Sequence, residues 1–108
     1  MADNKFLPGE VKDLAGAVDY QNDSIVSRML LNKPNGSVTL FALAEGQSIA
    51  EHKTPFDALA QIIDGEAEIV ISGKSRTVKA GEMLLMPAND PHALFAKKNF
   101  KMLLTMIK

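Results

Sequence analysis

The chain has 108 residues, 46% of them hydrophobic, with 12 basic and 13 acidic side chains for a formal net charge of −1. That length corresponds to one domain with room for a real core, and the charge balance gives no reason to expect nucleic acid or an anionic membrane surface as a partner. Cysteine is absent, which rules out disulfides and thiolate–metal sites.

The first residues, MADNKFLPGEVKD, open on charges and lack an apolar core, so they do not read as a signal peptide. No apolar run reaches the ~18 residues of a membrane helix. The expectation is a soluble, cytoplasmic protein. Residues 1–23 read as an N-terminal arm, with a turn at Pro8-Gly9. Val11, Leu14 and Val18 fall at helical spacing, which predicts a helical turn over EVKDLAGAV, kept short by Gly16.

From Ser24 the pattern changes to strands. IVSRMLL and SVTLFALA flank Pro34-Asn35-Gly36, and Asn-Gly predicts a hairpin whose turn residues take positive φ. Gly46, Asp64-Gly65, Ser72-Gly73 and Gly81 then close successive short segments, with Asp64-Gly65 as the clearest further hairpin signal. Short strands at even spacing, with no long helix between them, predict an all-β sandwich or barrel over residues 24–108. In EAEIVIS, Ala67, Ile69 and Ile71 share one face; in FKMLLTMI, Phe100, Met102, Leu104 and Met106 do. SRMLL, MLLM and the last strand are apolar on both faces, as in strands buried on both sides. The N-terminal arm is short for covering that outer wall, so the expectation is a homodimer.

The chain has two histidines, His52 and His92, each in a loop-to-strand context near a proline, Pro55 and Pro91. If they converge, two neutral imidazoles form half of a metal site. Alternatively they sit in a pocket mouth, bonded to backbone carbonyls and water. Nucleophilic catalysis has little support, since no serine lies beside a histidine with an orienting acid. The glycines are spaced as turns rather than clustered as a phosphate loop.

GQSIAEHKTPFDALAQIIDG (46–65) and GEMLLMPANDPHALFA (81–96) resemble the paired motifs of the cupin superfamily. Gly46, His52 and Gly65 match the first motif; Gly81, Pro87 and His92 match the second. The resemblance implies a double-stranded β-helix, or jelly-roll barrel, with a short N-terminal arm. It also implies a divalent metal, which cupins typically hold with three histidines and a glutamate. Here Thr54 and Ala58 stand at two of those four positions, and Asn89 and Ala96 replace the second motif's inner glycine and terminal asparagine. His52 and His92 are therefore an incomplete ligand set for iron, nickel, manganese or zinc, in a site that can equally be metal-free.

Thr54, Phe56, Ala58, Ala60, Ile62, Met86 and Phe95 are the expected pocket residues, with Met86 read as packing rather than as a ligand. Asp57, beside Ala58, is expected to point outward unless a bulge at Pro55-Phe56 reverses it. The functional expectation is a small-molecule-binding barrel. The alternative is a metal-dependent dioxygenase, isomerase or lyase acting on a small polar metabolite, and a third possibility is a purely structural or regulatory partner.

Overall fold

The computed structural model describes residues 8–108. Eight antiparallel strands follow the arm: β1 (Ile25–Lys33), β2 (Gly36–Leu43), β3 (Ser48–His52), β4 (Asp57–Ile71), β5 (Lys74–Lys79), β6 (Met83–Met86), β7 (His92–Phe95) and β8 (Phe100–Ile107). They form two walls joined by β4. Its first half pairs with β8 and β6 in a sheet that continues through β2 to β1; its second half pairs with β5 and β7, and β3 completes that second sheet. No helix of the described residues is long and apolar enough to cross a membrane.

Asp64-Gly65 is not a hairpin turn, contrary to the reading of the sequence. It lies within the continuous 15-residue β4, at a register shift against β8 where the strand passes from one wall to the other. Gly65 has φ +71°, and a Cβ there would collide with the backbone carbonyl of Asn99. The register break falls at Ile63, and the glycine beside it allows a bend inside a strand rather than a reversal. Ser72-Gly73 is a true two-residue turn, with φ +48° and +82°, the combination favoured between twisted strands. The β1–β2 turn is Pro34-Asn35, and neither residue has positive φ. Gly36 is needed for another reason: a Cβ on it would stand 2.5 Å from the Met106 carbonyl of β8.

Alternation fills the space between the walls. Leu43, Ile62, Ile69, Met86, Phe100 and Met102 are fully buried there, each contributing about 1.5–3 kcal/mol through removal from water. A second cluster lies on the outside of the first sheet. Among the described residues the arm makes one 3-10 turn, at Ala15–Ala17, shorter than the helical turn expected, and then drives Val18 against Leu40 and Ala42, flanked by Val26, Leu30, Ile63 and Leu103.

The arm therefore covers part of the outer wall that it was expected to be too short to cover. It is fastened by polar contacts from the sheet. Arg28 donates to the Ala17 carbonyl at 2.7 Å, and Lys101 to the Ala15 carbonyl at 2.6 Å. Tyr20 donates to the Asp64 carboxylate at 2.6 Å. Burial and that carboxylate hold the Tyr20 phenol far above its ordinary pKa, so it remains a donor.

Candidate functional site

β3 and β7 pair at the margin of the second sheet, where Ser48 lies opposite Phe95, Ile49 opposite Leu94 and His52 opposite His92. From Ile49 to His52 is three residues, whereas Leu94 to His92 is two, so β3 carries a bulge at Ala50-Glu51. Strict alternation from Ile49 would aim Glu51 inward and His52 outward. The extra residue reverses this, and His52, itself exposed at the cavity's edge, lines the cavity beside Ile49. The bulge thus lies in β3, upstream of the Pro55-Phe56 position considered from sequence. On β7 the alternation is regular: His92, Leu94 and Ala96 are buried, while Phe95 faces out and is 40% exposed.

The two imidazoles are neighbours on one wall rather than partners facing across the barrel. Their ring centroids are 4.3 Å apart and their planes 69° apart. Nδ1 of His52 is 2.9 Å from the Ala50 carbonyl, and Nδ1 of His92 is 3.3 Å from the Asp90 carbonyl. A carbonyl can only accept, so Nδ1 carries the proton in each neutral ring and Nε2 holds the lone pair. Burial, and secondarily the charge on His52, push the His92 pKa below its ordinary value, while its bond to the Asp90 carbonyl opposes this weakly.

Beside the pair lies a cavity of about 270 Å³ between the two walls. His52, His92, Ala58 and Met86 line it, joined by Phe41, Ile49, Leu94, Met102, Leu104 and Met106. Five expected pocket residues do not line it. Ala60 and Ile62 are packed into the core further along β4. The Thr54 hydroxyl accepts the backbone N–H of Phe56 at 3.3 Å in a local turn, which holds both residues in the β3–β4 connection, and Phe95 faces outward for the reason given above.

The missed residues carried signals of two kinds. Leu94 follows from alternation counted from His92, and Met102, Leu104 and Met106 are the β8 face already legible in sequence. Ile49 was hidden by the bulge, and Phe41 by strand pairing that sequence does not specify.

The residues at the site do not fit the four-ligand set that the resemblance implies. Among the described residues no three His, Cys, Asp or Glu side chains gather as a metal-binding group. Asp57 is exposed, and its carboxylate accepts the Ala88 N–H at 2.9 Å. Ala58 offers a methyl group, and Glu51 is exposed on the bulge. Asn89 takes φ +68°, so asparagine supplies the left-handed turn conformation where the motif has glycine.

Two curled antiparallel walls around an internal cavity, with histidines from both motif stretches paired at its edge, define a small jelly-roll barrel. A family model described as the cupin domain matches residues 39–108, and the chain belongs to the cupin family. It is similar to a conserved protein of unknown function from Streptococcus pyogenes, with a TM-score of 0.93 and 38% identity over 97% of this chain and 92% of that one. It is also similar to a cupin 2 conserved barrel domain protein from Leptotrichia buccalis, with a TM-score of 0.86 and 45% identity over 87% of this chain and 46% of that one. A salicylate 1,2-dioxygenase from Pseudaminobacter salicylatoxidans shares the fold, with a TM-score of 0.71 at 18% identity over 77% of this chain and 26% of that one. No curated protein matches the sequence.

Proposed function

We propose that this chain is a cytoplasmic small-molecule-binding protein whose barrel cavity takes a small, uncharged, largely apolar guest carrying a hydrogen-bond donor. The observation that supports this is the composition of the cavity wall: eight apolar side chains and two histidines, with no acidic or cationic side chain. Its volume of about 270 Å³ lies just below the ~300–1,000 Å³ of drug-sized pockets. With Nδ1 committed to the backbone, each neutral imidazole offers the guest an acceptor at Nε2. An alcohol, phenol or amide N–H matches that acceptor, whereas a carboxylate would be buried without a counter-charge.

The test is calorimetric titration of metal-free protein with small phenols and alcohols beside carboxylates of the same size. The neutral donors should bind, and His92→Phe should weaken them. Exclusive binding of carboxylates, or a His92→Phe protein that binds all members equally, would overturn the reading. The metal-dependent enzyme alternative has less support, because His52 and His92 supply two of the four donors that a divalent ion of this family takes. Elemental analysis of untagged protein after reconstitution with iron, nickel, manganese or zinc decides it.

We also propose that the chain works as a homodimer. One row of residues crosses the outside of the first sheet in register: Leu31, Val38, Thr105, Leu59 and Leu85. Beyond the part covered by the arm, Leu31, Leu85, Met83 and Ile107 remain 58–68% exposed. A net charge of −1 puts little repulsion between copies. An apolar face shared with a second copy through a two-fold axis would bury these residues.

A further inference from the structure

Among the described residues β5 and β6 each pair with β4 alone, β5 along its second half and β6 along its first, and they do not pair with each other. Lys74, Arg76 and Val78 of β5 lie opposite Ile71, Ile69 and Ala67 of β4, and register partners share a face of a sheet. Ala67, Ile69 and Val78 are buried in the core, so Lys74 and Arg76 leave β5 on its inward face. Leu84 of β6, opposite the buried Ala60, is on the inward face of the other wall. A cleft of about 370 Å³ lies here, and Ile71, Lys74, Arg76, Leu84 and Asp90 are among the residues that line it. It shares no lining residue with the histidine cavity.

We propose that this cleft binds a small monocarboxylate with an apolar body. Its lining holds two cations and one carboxylate, which leaves a single net positive charge. Although they line one cleft, the side chains of Lys74, Arg76 and Asp90 make no hydrogen bond or ion pair among the described residues. The outward face of the same ladder is different: Glu68 accepts the Ser75 hydroxyl at 2.6 Å and pairs with Lys97 at 2.9 Å. A carboxylate supplies the partner that the inward cations lack. The planar fork of Arg76 matches its two oxygens, and Lys74 adds a point charge. Ile71 and Leu84 offer the apolar body a surface to cover.

The charge balance also sets a limit. A phosphate monoester carries roughly −1.5 to −2 near neutral pH, more than one net positive charge offsets, and Asp90 repels the excess. Inward-pointing charges on an edge strand also keep it from pairing with another chain. That role accounts for cations on β5, but it involves neither Asp90 nor an open volume, and it gives no selectivity among small molecules.

The experiment is titration of the isotope-labelled full chain with benzoate, its neutral amide benzamide and the dianion phthalate, followed by backbone amide chemical shifts. Benzoate should shift the amides of Lys74, Arg76, Leu84 and Asp90, and should bind more weakly as salt rises to about 0.15 M. Benzamide should bind more weakly than benzoate, and phthalate no more tightly. Lys74→Gln and Arg76→Gln should each weaken benzoate roughly threefold to fivefold, the scale of an exposed ion pair, and the double variant should abolish binding. Asp90→Asn should reverse the order, so that phthalate binds more tightly than benzoate. Lys74 and Arg76 are exposed and Asp90 is half-buried, so these variants keep the fold, and thermal melts check that they do. Benzamide binding as tightly as benzoate, phthalate binding more tightly in the unsubstituted protein, or benzoate binding unchanged in Lys74→Gln/Arg76→Gln would each overturn the proposal. So would shifts confined to Ile49, Leu94 and Met102, which place benzoate in the histidine cavity. No shift in the cleft at all would leave the cations as edge protection alone.

Discussion

His92 holds one ring nitrogen against the Asp90 carbonyl and is itself only 4% exposed. Protonation would place a charge in that buried setting and beside a second imidazole, so its pKa lies below the ordinary 6.5, mainly because of burial. The unfolded chain titrates at the ordinary value, so between the two values it binds more protons than the folded chain. Neutral His92 therefore contributes stability that is complete above pH 6.5 and is lost as pH falls through the lowered folded value. In metal-free protein, the ring-proton chemical shifts of His92 should titrate with a midpoint below 6.5. Thermal stability should decline over the same acidic window, and the His92 component of that decline should vanish in His92→Phe. A His92 midpoint above 6.5 would contradict the buried neutral ring.

Among the elements, β4 joins the two walls, and its bend depends on Gly65. A side chain there would need φ near +71° and would meet the Asn99 carbonyl, so backbone strain and steric conflict add. Gly65→Ala should destabilise the fold by at least about 2 kcal/mol, measured by urea unfolding. Gly73→Ala, also at positive φ but with no atom within 4 Å of its added Cβ, should cost only about 1 kcal/mol. Equal costs at the two positions would mean that close approach to Asn99 contributes nothing. The β3 bulge acts differently: it leaves the ladder largely intact but turns His52 inward, so one inserted residue gives the cavity its second imidazole.

For the whole molecule, the question is what covers the outside of the first sheet. The arm protects Leu40 and Ala42 through Val18, while Met83 and Leu85 remain 68% and 58% exposed. Sedimentation velocity should find a dimer, and Met83→Lys/Leu85→Lys should convert it to a monomer that still melts cooperatively, because neither residue belongs to the buried core. A wild-type chain that stays monomeric at the highest workable concentration would remove the homodimer from consideration.

Much of the barrel was legible in the sequence because its signals are local. Period-two alternation set the inward faces of β8 and of the second half of β4. The Ser72-Gly73 turn followed from residues that tolerate positive φ, and the two histidines stood at matching positions of the paired motifs. Other features required the folded chain, because they depend on contacts between residues distant in sequence. Asp64-Gly65 has the composition of a turn, and only the passage of β8 beside it makes it part of a continuous strand, next to a bulge at Ile63. The direction of His52 depends on a register shift against β7, and Met86 of β6 and Met106 of β8 reach one cavity only because both strands pair with β4 at Ala58. The sequence by itself determined an all-β cupin chain with two histidines at motif positions. Tertiary structure decided that they share one wall beside an apolar cavity and that the arm shields part of the outer sheet, since strand pairing and its irregularities set which side chains meet.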